Sequence, residues 1–291
     1  MALDPSGDEE LKLLALNALQ HQDPSQAVPL LQQILQGSQS PKLKERALFV
    51  LAQSQAPEAR KILAGVARTG NPDLQRKAID YLGVNGTQEN RALLAEIYQS
   101  TDDVDVKRRI LRAYMVSGDR ARVLAAATGE SNADLRIEGV RQLGVMGAHD
   151  ELWQLYQKES SLDVKRQILQ AMFVGGNATR LIELAKSEPN ADLRRTAVRN
   201  LGLMGARSTG QALVDLYSAD KDQDIKKAAV NGLFIQNNAE ALVALARKET
   251  DPALKKELVQ RLSLMKSKAA VDYLMEILGK HKYTPSVAGH A

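Results

Sequence analysis

Apolar residues fall in short runs of helical period that restart at nearly constant intervals along the chain. Taking the first aliphatic residue of each run as an anchor gives nine anchors, at positions 11, 43, 74, 106, 135, 164, 193, 225 and 254, spaced by 29 to 32 residues. Positions four, five and eight after the anchor are apolar almost throughout, as in Ala78, Ile79 and Leu82 or Ala197, Val198 and Leu201. That spacing marks one buried stripe of an α-helix. Three residues before each anchor stand Asp8, Ser40, Asn71, Asp103, Asn132, Ser161, Asn190, Asp222 and Asp251, all able to accept a backbone N–H at a helix start. Pro41, Pro72 and Pro252 take the next position, where a missing N–H costs nothing. Each anchor therefore opens a helix.

Twelve residues after the anchor come Gly86, Gly118, Gly147, Gly176, Gly205 and Asn237, which are expected to end that helix in the left-handed conformation. A second amphipathic segment follows, such as 92–98 or 241–246. The pattern predicts nine helix pairs, eighteen helices and no β-sheet, stacked as an α-solenoid because one pair alone cannot bury its apolar face. Leu82-Gly83-Val84, Leu143-Gly144-Val145 and Leu201-Gly202-Leu203 alternate with Tyr114-Met115-Val116, Met172-Phe173-Val174 and Leu233-Phe234-Ile235. The alternation predicts doublets of repeats, with glycine in one helix packed against a bulky residue of the next.

The phrase of a cap, Asp, an aliphatic residue, Lys or Arg, then Leu-Gly-x-x-Gly resembles HEAT-like repeats, especially the short version seen in bilin-lyase-type proteins. The resemblance covers residues 8 to 280 and implies an all-α, right-handed α-solenoid of about nine stacked two-helix repeats, read as a single domain. The units are nearer thirty residues than the roughly 40 to 47 usual for HEAT repeats, so curvature does not carry over. Residues 281–291 lack the period and are expected to be a disordered tail. The chain opens directly on a helical repeat, which reads as excision from a longer protein.

Composition adds exclusions. Aromatic residues are 4% of the chain, too few for an aromatic-lined cofactor cavity, and cysteine is absent, which removes disulfides and thiolate metal sites. No stretch reaches the roughly 18 apolar residues of a membrane span, and the first ten residues lack a signal-peptide form, so the chain reads as soluble. His21, His149, His281 and His290 are scattered, and His149-Asp150 is read as a turn and cap. No metal or cofactor is expected. Trp153, the one tryptophan, is read as packing, and Tyr98, Tyr156 and Tyr217 as inter-repeat core with hydroxyls at the rim.

The formal net charge is +4. One position after the anchor stand Lys12, Lys44, Lys107, Arg136, Lys165, Arg194, Lys226 and Lys255. At ~100° per residue their stems lie along the core and their heads meet nearby acidic N-terminal residues, which makes them a structural ladder. The second and sixth positions lie on the opposite face, where Arg76, Arg108, Arg112, Arg141, Arg166, Arg195, Arg199, Lys227 and Lys256 accumulate. The HEAT resemblance implies that this helix lines the concave surface. The expected function is a non-enzymatic scaffold that binds a protein or peptide, favoured if acidic, along that ridge. A nucleic-acid binder ranks behind it because most of the chain is electrically balanced, and a bilin-lyase-like chromophore handler ranks third.

Overall fold

In the computed structural model, which describes residues 5–279, eighteen α-helices form nine consecutive pairs, and no strand occurs among the described residues. The first helices of the pairs are α1 (Pro5–Leu19), α3 (Pro41–Gln53), α5 (Pro72–Val84), α7 (Val104–Val116), α9 (Ala133–Val145), α11 (Leu162–Val174), α13 (Ala191–Leu203), α15 (Gln223–Ile235) and α17 (Pro252–Ser263). The second helices are α2 (Pro24–Gln36), α4 (Pro57–Thr69), α6 (Gln88–Ser100), α8 (Arg120–Gly129), α10 (His149–Lys158), α12 (Ala178–Ser187), α14 (Ala206–Ala219), α16 (Ala239–Lys248) and α18 (Lys268–Ile277). The expected tail at 281–291, with His281 and His290, lies outside the described residues.

Eight of the nine expected caps form. Ser40, Asn71, Asp103, Asn132, Ser161, Asn190, Asp222 and Asp251 each accept a backbone N–H of their own first turn. Asp8 does not, because α1 already begins at Pro5; Asp8 instead pairs with Lys12 at 2.7 Å, one turn on.

The left-handed expectation holds at Gly118, Gly147, Gly176 and Asn237, with φ between 54° and 74°, and fails at Gly86 and Gly205. Where it holds, the second helix that follows is 10 residues long, in α8, α10, α12 and α16; after Gly86 and Gly205, α6 and α14 run to 13 and 14. Anchor spacings of 29 and 32 thus differ by close to one turn of the second helix. Gly86 is small for another reason: a Cβ there would stand 2.8 Å from Ser117 Cβ. Gly205 has open space around it and serves as the N-cap of α14.

Contacts group residues 1–142 into one unit and 143–291 into a second. In unit 1 the first helices α1, α3, α5 and α7 pack successively on one another, the second helices α2, α4 and α6 form a parallel layer, and the core between the layers includes Leu31, Leu51, Ile79, Leu94 and Ile110. In unit 2 α11, α13, α15 and α17 make one layer and α12, α14, α16 and α18 the other, around Leu152, Leu169, Leu201, Leu213, Leu233 and Leu258. These leucines and isoleucines are nearly inaccessible, each contributing about 1.5–3 kcal/mol by leaving water. Only neighbouring repeats provide that burial.

The expected packing of glycine against bulky residues is corrected. Gly83 faces Ala113, Gly144 faces Ala171 and Gly202 faces Gly232, so that a Cβ on the first of each pair would approach the partner's Cα to 2.6–2.8 Å. Small residues on both sides let the two first helices of a doublet touch backbone to backbone. The bulky Met and Phe of the alternate triplets turn elsewhere.

Candidate partner-binding surface

The first helices present positions two, six and ten after the anchor on one exposed face, because residues four apart share a helix side. From α5 onward position ten is aliphatic and stands at the end of the helix, as its last residue in Val84 and Val116 of unit 1 and in Val145, Val174, Leu203 and Ile235 of unit 2, and as the C-cap in Leu264 of unit 2. All seven are 50–70% exposed. In unit 2 the Gly144–Ala171 and Gly202–Gly232 contacts join the ends of α9 and α13 closely to α11 and α15. Within unit 2 the five residues stand at one position of successive packed first helices, which makes them a row with a step of roughly 8–10 Å by ordinary helix packing and less where glycines touch. Single exposed aliphatics are ordinary, whereas an in-register row is a feature of the surface. The sequence carried the signal in the third residue of each triplet quoted above.

Beside this row lie the basic residues of the expected ridge, and the structure changes their electrostatics. Arg76 pairs with Asp73 at 2.8 Å, Arg108 with Asp105 at 2.7 Å and Arg166 with Asp163 at 2.7 Å, each three residues back in its own first turn. Arg195 pairs with Asp192 in the same way and reaches Asp224 of the next repeat at 3.0 Å. The aspartates that serve the helix dipole also neutralise the arginines. Arg112 and Arg141 converge on the buried Glu138, at 3.0 and 3.9 Å, and Gln142 donates to the same carboxylate at 2.8 Å. That pair is a structural clamp in unit 1. Arg199, Lys227 and Lys256 are exposed and have no ion pair among the described residues. The ridge is thus an alternation of charges with few free cations.

Residues one position after the anchor behave as a ladder with partners that the sequence reading did not foresee. Lys107, Lys165 and Lys226 stand 5.0, 4.9 and 5.2 Å from the ring centres of Tyr98, Tyr156 and Tyr217 in the preceding repeat. Each tyrosine hydroxyl donates to the residue that caps the second helix of the following repeat: Tyr98 to Glu130 at 2.5 Å, Tyr156 to Glu188 and Tyr217 to Glu249. The hydroxyls end on carboxylates, not at a solvent rim. Burial first, and then the carboxylate bonds, push all three phenols far above their ordinary range. At Glu249 burial acts to raise the pKa, but bonds from the Tyr217 hydroxyl and the Asp251 and Thr250 N–H groups outweigh it and hold the carboxyl below its usual range. Three Tyr–Glu–Lys locks therefore tie three doublets, one in unit 1 and two in unit 2.

Trp153 is half-buried, stacked parallel to Tyr156 and covered by the Arg180 guanidinium at 4.3 Å, which fits the packing reading. His149 is the first residue of α10, with Ala148 as N-cap, so it is no cap itself. Its Nε2–H donates to the Gly175 carbonyl at 2.7 Å. Among the described residues no three His, Cys, Asp or Glu side chains group so as to hold a metal, and no helix is long and apolar enough to cross a membrane.

The family model of HEAT repeats matches residues 28–115 and 178–247, more than half of the chain. The chain belongs to the HEAT repeat family. Each of its HEAT repeats is one of the helix pairs described above. Solved structures similar to it include the complex of CpcE and CpcF of phycocyanin lyase from Nostoc sp. PCC7120, at 18% identity over 81% of this chain and 93% of that chain, TM-score 0.35. YibA of E. coli is similar at 14% identity over 97% and 94%, TM-score 0.37. Superpositions this loose carry no functional argument, and family membership rests on the repeats. No curated protein matches the chain significantly in sequence.

Proposed function

We propose that this HEAT repeat chain is a non-enzymatic scaffold that holds a protein partner along the exposed face of its first helices. The observation that carries the reading is the row of Val145, Val174, Leu203, Ile235 and Leu264 in unit 2, flanked by Arg166, Arg195, Arg199 and Lys227. An aliphatic row recognises the apolar side chains of a partner, and a margin with free Arg199 and Lys227 favours acidic residues beside them. HEAT repeats generally serve protein interaction, and stacked repeats offer extended surfaces for it. In unit 1, Val84 and Val116 with Arg76, Arg108 and Arg112 offer a smaller surface of the same kind.

Electrostatics favours this partner over nucleic acid. Arg76, Arg108, Arg166 and Arg195 already face aspartates, so the face lacks the unbroken positive field that a phosphate backbone requires. A photo-reactive amino acid placed at Leu203 should crosslink the partner in extracts of the source organism, while the same group at Gln211, exposed on α14, should not. Equal crosslinking from both positions would remove the first-helix face from the account.

A further inference from the structure

Unit 1 contains a groove of about 960 Å³ that runs across its first three repeats, lined among others by Leu35 of α2, Lys44 of α3, Lys61 and Ile62 of α4, Gly70, and Arg76 of α5. Two of its lining residues, Lys44 and Gly70, stand at positions that the three Tyr–Glu–Lys locks use. Ile34 is third from the end of α2, the place that Tyr98, Tyr156 and Tyr217 take in α6, α10 and α14. Gly70 caps the end of α4, where Glu130, Glu188 and Glu249 cap α8, α12 and α16. Lys44 stands one position after its anchor, as Lys107, Lys165 and Lys226 do. This doublet has kept the lysine and lost both the phenol and the carboxylate.

The consequence is a half-buried cation with nothing to answer it. Lys44 and Lys61 have no ion pair among the described residues, whereas the two acidic residues of the lining are already taken, Glu45 by Lys77 at 2.8 Å and Asp73 by Arg76 at 2.8 Å. Arg109, at the groove's edge, is held by Asp80 at 2.6 Å. The chain cannot easily supply the missing acid itself, because a Cβ on Gly70 would stand 2.5 Å from the Val66 carbonyl oxygen. We infer that the groove binds an acidic peptide segment of a partner protein, whose carboxylate meets Lys44 as Glu130 meets Lys107 at 3.7 Å in the doublet of the third and fourth repeats. Leu35, Ile62 and Val66 accept an apolar side chain next to that carboxylate. This site is separate from the aliphatic row and does not depend on it.

The test is selection from a positional-scanning heptapeptide library against the full-length chain, followed by titration of the selected peptides. The inference expects Asp or Glu to be enriched at one position beside an apolar or aromatic residue. Lys44→Met should weaken the selected peptide by about tenfold or more, since a charge-assisted bond is lost. Lys44→Arg should largely restore binding, and Lys44→Glu should prefer the same peptide with its acid changed to Lys. The Val174→Ser/Leu203→Ser/Ile235→Ser variant should bind it as the parent does, which separates this site from the proposed scaffold face. Thermal unfolding checks that each variant is folded; Lys44→Met should leave the midpoint close to the parent's, because no lock is broken. Selection without a carboxylate preference, unchanged affinity in Lys44→Met, or no peptide bound at millimolar concentration would each overturn the inference. A chain dimer that dissociates in Lys44→Met would assign the groove to a second copy and overturn it too.

Discussion

Replacing Tyr156 by Phe isolates one hydrogen bond of a lock. The ring keeps its stacking on Trp153 and its place under Lys165, and only the hydroxyl that donates to Glu188 is lost. Tyr156 is 3% and Glu188 6% exposed, so water cannot easily replace the donor, and screening is weak. One carboxylate oxygen remains bonded to the Asn190 N–H at 2.9 Å, and the other is left desolvated. A hydrogen bond to a charged group contributes about 1.5–3 kcal/mol, and the orphaned oxygen places the expected loss at about 2 kcal/mol. For a unit of about 150 residues that is a fall in melting temperature of roughly 4–8 °C. Urea unfolding followed by helical circular dichroism and by fluorescence of Trp153, the sole tryptophan, gives both the global and the local value. In a cycle with Glu188→Gln the two changes should couple by about 1 kcal/mol or more. A loss below about 0.5 kcal/mol, or an additive double variant, would refute the reading of the lock as a structural tie.

Other expectations follow from the same geometry. Gly202→Ala should cost about 1–3 kcal/mol in thermal unfolding, because its Cβ would meet Gly232 Cα at 2.6 Å, while Gly205→Ala, with open space and negative φ but at the N-cap of α14, should cost less than about 1 kcal/mol. Tyr98, Tyr156 and Tyr217 are held protonated in the fold, so their contribution is complete below the phenol's ordinary value near 10 and is lost as pH rises beyond it; alkaline melts should show that fall, reduced in Tyr156→Phe. At Glu249 the sign reverses: its depressed carboxyl stabilises the fold above the ordinary value of 4.5 and ceases to do so as pH falls below that value. Deleting the chain from Asp251 onward removes α17 and α18 and should leave a folded array with proportionally less helical signal, since repeats depend on neighbours alone.

The repeat, the caps and the buried stripe were legible because each rests on residues close in sequence: a cap reaches two or three residues on, and a stripe needs only helical spacing. The same locality explains the errors. Arg76, Arg108, Arg166 and Arg195 looked like a free basic ridge because helical spacing alone puts them outward, yet the aspartates read as dipole partners sit three residues before them and neutralise them. Arg141 was equally ambiguous, and its clamp on Glu138 with Arg112 makes it a poor site for charge reversal. The locks were missed because Tyr156 and Glu188 are 32 residues apart, and only the stacking of consecutive repeats brings them together. Lys107, Lys165 and Lys226 were placed correctly along the core, but their aromatic partners belong to the preceding repeat. Apart from Leu264, the aliphatic row was visible as the last residue of each quoted triplet, and burial alone distinguished it from the core residue two positions earlier.

The scaffold account is tested most directly by the dissociation constant of the purified, crosslink-identified partner for the parent and for Val174→Ser/Leu203→Ser/Ile235→Ser. These side chains are at least half exposed, so the variant should keep its fold and its melting temperature nearly unchanged. Loss of three apolar contacts from one row should weaken binding by about tenfold or more. Adding Arg199→Glu and Lys227→Glu should weaken it further and flatten its dependence on salt. A partner that binds the triple variant as tightly as the parent would contradict the assignment of the first-helix face as the binding surface.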